Sequence, residues 1–304
     1  MENKNIGLFF YRGYYSDYFG ENGWLKKEEA QQNQAKEKNK RFTLYEDISC
    51  KKYLQIPQSS QTFSLKTIYP GLYTGSGYIF GAGLEGEFQS GFLFDYTTGL
   101  PYLPGSSVKG AIRSIFPNYT DMGSKIKKST AQRTERVEYI NKEFFEKMNR
   151  DCFTSNFNSR VDKTTVVKEI ELEIFESRNI VEEKREKEKL LQKGINKEIN
   201  ARYYSIYERD IFYDASISKT VKEGMTKNKF LGLDYITPHK DNPLKNPVPL
   251  PFLKILPGVT IDFQFQVHDG YYLTANGKLE FFKHILLDFG VGAKTNVGYG
   301  QLKE

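Results

Sequence analysis

Apolar and polar positions along the 304 residues alternate in blocks of different period, and the blocks divide the chain. From Gln61 to Phe94 short apolar runs separated by Gly and Pro, "FSLKTIYPGLYTGSG" and then "GEFQSGFLFDY", predict strands. Residues 106–116 carry a helical period, and "RVEYINKEFFEKMNRDCF" at 136–153 repeats Val137, Ile140, Phe144, Phe145 and Met148 at helical spacing. Between Glu176 and Ile199 both charge signs follow a helical period, which predicts a solvated helix. Strand signals return in "ERDIFYDASIS" at 208–218, in "FLKILPGVTIDFQFQV" at 252–267 and at the extreme C-terminus. A last helix at 277–290 is expected to turn Leu279, Phe282, Ile285, Leu286 and Phe289 inward and to stop at Gly290. Residues 5–24 are rich in aromatics and glycine, and 25–42 read as a polar, exposed helix or linker.

This order predicts an α+β domain of split βαβ, ferredoxin-like type. It has an antiparallel sheet, with the helices at 106–116 and 277–290 paired on one face. The expected organisation is one domain over 1–304, with an N-terminal extension to about residue 60 and a largely helical, charged insertion at about 120–205.

Charge sharpens the picture through its placement. Between residues 104 and 168 thirteen Lys and Arg stand against seven acids, an excess equal to the whole net charge of +6, so the remainder is neutral in sum. Clustered basicity points to a polyanionic partner, and 21 Tyr and 23 Phe offer rings on which bases could stack. Cys50 and Cys152 have neither CxxC nor CxxH spacing, and the N-terminal residues lack the build of a signal peptide. With no apolar run long enough for a membrane span, a soluble cytoplasmic protein is expected, with no membrane partner.

Two stretches carry candidate chemistry. "GLPYLPGSSVKGAIRSIF" at 99–116 sets Pro104-Gly105, read as a type II turn, before Ser106 or Ser107 as the cap of a helix starting near Val108. Lys109 and Arg113, at i and i+4, project from one face near the helix N-terminus, where backbone N–H groups favour an anion. Gly110 between them would admit a close backbone. A phosphate held by serine, main chain and two cations is the expectation, against a capped helix with solvated charges.

The second stretch is "GVGAKTNVGYGQL" at 290–302, around Lys294, Thr295, Asn296 and Tyr299. It is not a P-loop, because Ala293 replaces the required Gly and a helix precedes it. "GAGLEG" at 81–86 lacks the following helix of a dinucleotide site, so no cofactor is expected. His239, His268 and His284 show no metal-ligand spacing, and no metal is expected either. His239 and Lys240 beside Pro238 are possible RNA contacts, and Asp95 at a strand end reads first as a turn former.

Together "GLPYLPGSSVKGAIRS" and the terminal glycine-rich loop resemble the RAMP superfamily of CRISPR effector proteins. Further pieces, "NIGLFFYRGYY", "RDIFYDA" and "LDYITPHKDNPLKNPVPLPFLKILPG", resemble those of a subunit of the type III-B (Cmr) RNA-guided complex. The resemblance implies a modified ferredoxin-like, RRM-like core and no catalytic residue. As partners it implies guide RNA, target RNA through it, other RAMP subunits and the small subunits of the complex. It places Ser106, Ser107, Lys109 and Arg113 on the guide backbone, with Lys294, Thr295, Asn296 and Tyr299 in support. Two rivals stand beside it: an endoribonuclease acting through His239 or Asp95, and a protein-only scaffold.

Overall fold

The computed structural model describes residues 5–16, 28–44, 60–75, 77, 86–88, 90–117, 130–158, 161–224, 226–237 and 249–304. The elements in chain order begin with α1 (Ile6–Leu8), which continues as a π-helical turn to Gly13, and α2 (Glu28–Leu44). Next come β1 (Gln61–Thr67), β2 (Tyr102–Leu103), α3 (Gly105–Arg113) and α4 (Thr130–Tyr139), the last running into a π-helical turn at Ile140–Phe145. Then follow α5 (Lys163–Glu176), α6 (Ile180–Gln192), β3 (Ile211–Phe212), β4 (Ala215–Lys219), β5 (Leu231–Ile236) and β6 (Leu250–Ile255). The chain closes with β7 (Thr260–Gln266), α7 (Ala275–Phe289) and β8 (Leu302–Lys303).

Strand order in the main sheet is β2-β4-β7-β1-β8, antiparallel throughout, with β3 also pairing β7. Taken alone, β1, α3, β4, β7, α7 and β8 are two split βαβ halves, and their spatial order is that of a ferredoxin-like fold. The reason lies in period 2 along β1 and β7: Phe63 lies opposite Phe263 and Leu65 opposite Ile261, so both strands send large apolar groups to one face. Helix α7 covers that face, its Phe282 ring 5.3 Å from Phe265 and 5.2 Å from Phe212. Helix α3 lies beside it and buries Val108 and Ile112.

Several expectations change. In "GEFQSGFLFDY" the described residues form no strand beyond a bridge from Phe94 to Pro101. Phe88, Phe92 and Phe94 are buried all the same, because Phe10, Tyr14 and Phe42 close over them in place of a neighbouring strand. Helix α2 is not an exposed linker. Ala35, Lys38, Asn39 and Phe42 form a buried stripe, with Lys38 donating to the Tyr14 carbonyl at 2.6 Å and the Tyr14 hydroxyl bonding the Asn39 side chain at 2.8 Å. Two polar side chains on its inner face conceal the amphipathic pattern.

The stretch 252–267 is split between sheets: β6 pairs with β5 in a separate two-stranded sheet, and only β7 joins the main one. In α7, Phe281 and Lys278 point inward, while Leu279 is half-buried and Phe289 is 39% exposed. Buried Lys278 is explained by Asp210, 2.7 Å away and equally enclosed. Nearby, burial pushes the Glu173 carboxyl above its ordinary range despite the Lys278 charge and hydrogen bonds from Tyr204 and the Tyr271 N–H.

Within the insertion, α5 is a core helix that buries Val166, Val167, Ile170, Ile174 and Phe175. Helix α6 is mostly solvated and is held at its start by Arg178–Glu183 and Lys184–Glu169 ion pairs. Most of the described Phe side chains pack in the core, which removes them as stacking platforms. Among the described residues no helix is long and apolar enough to cross a membrane.

Candidate functional site

Helix α3 begins earlier than its serines suggest. Pro104 is the N-cap with φ −56° and ψ 138°, Gly105 is already helical, and neither Ser106 nor Ser107 caps the helix. The expected type II turn with a left-handed Gly105 is therefore absent. The cap comes from far along the chain instead, the Asp214 carboxylate accepting from the Gly105 N–H at 2.7 Å. Glycine is required at 105 for space: a β-carbon there would lie 2.1 Å from the Phe212 carbonyl oxygen. At Gly110 a β-carbon would meet nothing, so no backbone approaches there among the described residues.

The two faces of α3 part the predicted constellation. At 3.6 residues per turn, Ser107, Ala111 and Ser114 share one side, and Lys109 and Arg113 lie about 200–240° round from Ser107. Lys109 donates from Nζ to the Phe175 carbonyl at 3.2 Å, and Arg113 bonds the Glu176 carboxylate. Their charges lie over the Phe212 and Phe175 rings, each at 5.7 Å. Burial, with the neighbouring Arg113 charge, holds Lys109 below its ordinary range. Both cations thus meet the last turn of α5, where unsatisfied carbonyls and the negative end of the helix dipole favour positive charge.

The glycine-rich loop is rigidly seated. Gly292, at φ 94°, runs so close to Tyr73 that a β-carbon would lie 2.5 Å from its carbonyl oxygen. Ala293 donates to that same carbonyl at 2.8 Å, and Val291 to Gly300 at 3.0 Å. The Tyr299 hydroxyl donates to Asp234 Oδ2 at 2.6 Å, and Lys254 Nζ reaches the same oxygen at 2.6 Å. Burial pushes the Tyr299 phenol up, reinforced by that carboxylate. Burial also tends to raise Asp234, but the hydrogen bonds from Lys254 and Tyr299 outweigh it and hold its carboxyl below the usual range. Tyr299 therefore positions the loop against the β5–β6 hairpin.

Between α3 and this loop lies an open groove of about 600 Å³. Ser107, Ala111 and Ser114 form one wall and Gly292, Thr295 and Thr74 the other. The structure thus brings Ser107 and Thr295, far apart in the sequence, to the same groove. Ser106 is exposed outside the lining, as is Asn296, and Lys294 is half-buried next to Thr295. Exposed Ser107 and Ser114 on one wall, and exposed Gly292 with half-buried Thr295 on the other, leave hydroxyls and main chain accessible, a surface suited to a sugar–phosphate backbone.

His239 and Lys240 lie outside the described residues. Asp95 Oδ1 accepts from the Thr97 and Thr98 N–H groups at 3.0 and 2.7 Å and from both hydroxyls. Those bonds overcome the effect of burial and lower its pKa, as in an Asx turn. Asp214 and Asp234, the carboxylates that fix helix and loop, escape sequence reasoning. Each acts on a partner more than 60 residues away, and neither has a local signal beyond following or lying in a short strand.

A ferredoxin-like sheet with two helices on one face, and a groove between the first of them and a glycine-rich loop, defines an α+β protein built to present main chain and hydroxyls. The model of the RAMP superfamily matches residues 64–303, and the chain belongs to that superfamily. No curated protein sequence matches it.

Among solved structures, a chain of the type III-B Cmr-beta complex bound to cognate target RNA is 17% identical, with a TM-score of 0.45, covering 99% of this chain and 87% of that one. Cmr6 from Pyrococcus furiosus is 21% identical, with a TM-score of 0.37, covering 82% and 99%. The family assignment rests on the sequence match over residues 64–303.

Proposed function

We propose that this chain is a non-catalytic, guide-RNA-binding subunit of a type III-B RNA-guided effector complex, the sixth Cmr subunit, capping the backbone stack near the guide 3′ end. The observation that carries the proposal is the groove, where Ser107 of the PGSS helix faces Thr295 of the glycine-rich loop in a member of the RAMP superfamily. The sequence pieces at the N-terminus, at "RDIFYDA" and at "LDYITPHKDNPLKNPVPLPFLKILPG" support the particular subunit. Guide and target would supply sequence recognition by base pairing while the protein holds the guide's backbone; the same division is known for a different RNA-guided system. Lys109 and Arg113 enter this reading as the residues that dock α5 behind the groove wall, not as direct phosphate ligands.

The test is affinity purification of the tagged chain from its host, followed by sequencing of co-purified RNA and identification of partners. Repeat-tagged guides with several RAMP proteins are expected, and Ser107→Phe, which fills the groove, should lower guide recovery at least tenfold without changing the circular dichroism spectrum. Unchanged guide recovery from Ser107→Phe overturns the groove assignment. Discrete cleavage of repeat RNA in EDTA, abolished by His239→Ala, would replace the reading with an endoribonuclease.

A further inference from the structure

The sheet face turned away from α3 and α7 carries a charge pattern that folding does not require. Lys303 on β8, Lys66 on β1, Thr260 on β7 and Lys219 on β4 stand in direct register across four strands. The side taken by Lys66 is settled by Ser64, two residues before it, whose hydroxyl donates to Asp262 across the strand pair at 2.7 Å. Ser218 reaches the same oxygen at 2.6 Å, and a register irregularity between Ile217 and Lys219 sets Lys219, the next residue, opposite Thr260. The opposite parity, Leu65, Ile261, Phe263 and Phe265, is the buried face under the helices.

Lys66 and Lys303 are immediate cross-strand neighbours, with side chains that start about 5 Å apart, and like charges so placed destabilise a sheet. Among the described residues no ion pair or hydrogen bond engages the side chains of Lys66, Lys219 or Lys303. The carboxylate on this face, Asp262, is one row away and takes its hydrogen bonds from the two serines.

Past β4 the chain adds exposed Lys222 and Lys227 and half-buried Lys229 against one acid, Glu223. The base of this segment packs at the same end of the sheet, Val221 lying beside Gly258 in the turn that precedes Thr260. Six lysines from three separated parts of the sequence therefore lie on this face or on the segment that leaves its edge, although the chain outside residues 104–168 is neutral in sum.

We infer that this face binds the sugar–phosphate backbone of a nucleic-acid strand, on the far side of the sheet from the groove. Four strands place Lys219 about 14 Å from Lys303, a reach that spans several phosphates. The donors are ammonium groups and the half-buried Ser216 hydroxyl, side chains of the types that contact phosphate and sugar. On this face Tyr102 of β2 lies across from Ser216 at the sheet edge and Tyr213 is tied to Gln266 at 3.2 Å, while the lysine row itself carries ammonium groups and a hydroxyl and no ring. Cores of protein interfaces favour Arg and aromatic residues and are poor in Lys, which weighs against an acidic protein as the occupant. Binding of this kind is independent of sequence and strongly dependent on salt.

The experiment titrates the full chain with a mixed-sequence single-stranded 30-mer RNA across a series of salt concentrations. The probe is applied to wild type, to Ser107→Phe and to the triple variant Lys66→Gln, Lys219→Gln, Lys303→Gln. The triple variant is expected to bind at least tenfold more weakly at low salt, with a log K against log[salt] slope shallower by about 2, or about 0.7 for each phosphate that is no longer neutralised. Its melting temperature at low salt should rise, because the Lys66–Lys303 repulsion is gone. A slope equal to that of wild type overturns the inference. If only Ser107→Phe loses RNA, the groove stands and the lysine face falls. A triple variant that keeps its RNA slope but loses salt-sensitive association with a co-purifying subunit assigns the face to an acidic protein and overturns the inference as well.

Discussion

A β-carbon on Gly105 would collide with the carbonyl oxygen of Phe212, and Phe212 cannot retreat because its ring is wedged against Phe265 and Phe282. Gly105→Ala should therefore destabilise the protein by about 2–3 kcal/mol, read as a lower denaturant midpoint at unchanged slope. The glycine is conspicuous in the sequence, but a local reading assigns it a left-handed turn that it does not adopt. Lys109 and Arg113 follow the same logic. Their spacing reveals that they share a helix face, and that much is legible. What the face meets, the end of α5, depends on a helix more than fifty residues further along.

At the scale of elements, the glycine-rich loop is fixed by a hairpin that the sequence pattern only half reveals. Strand β5 gives no clear signal and β6 reads as one with β7, because a single apolar run crosses the turn between two sheets. Asp234 on β5 holds Tyr299, and its carboxyl is depressed in the folded state below its ordinary value. A depressed carboxylate stabilises the fold above its unfolded pKa, and that contribution is lost as pH falls through the lower folded value. Asp234→Asn should thus cost about 1 kcal/mol at neutral pH, with discount for partial exposure, and should flatten the decline in stability below about pH 4. Urea unfolding across the acid and neutral range measures both. A variant whose acid limb matches wild type would show that Asp234 does not secure the loop.

At the scale of the whole molecule, the insertion and the ferredoxin-like core are joined by buried charge. Lys278 on α7 pairs with Asp210, which follows the insertion and directly precedes β3, with both side chains 3% exposed, and Glu173 of α5 within the insertion lies close by. Removing one partner leaves the other charge enclosed, so Lys278→Ala should cost about 3–5 kcal/mol. The same substitution should expose α5 to proteolysis before the sheet is lost, measurable as an early cleavage between residues 163 and 209. Simultaneous loss of both units would show instead that core and insertion unfold together.

The alternation of Phe63 and Leu65 against Ile261, Phe263 and Phe265, with the helical spacing of Val108 and Ile112 and of Phe282, Ile285 and Leu286, is enough to predict a split βαβ core. Periodicity of this kind is local, and a sheet with one buried face has few other ways to satisfy it. The glycine-rich loop and the PGSS helix are also legible as candidate site elements, since their turn residues lie side by side in the sequence. Tertiary structure alone decided which side chains those elements offer: Ser107 and Thr295 to the groove, Lys109 and Arg113 to α5, and Tyr299 to Asp234. It alone gathered Lys66, Lys219 and Lys303 into one row. The physical reason is that charge and hydrogen-bond partners are set by distance in space, and strands more than eighty residues apart in sequence lie about 5 Å apart in a sheet.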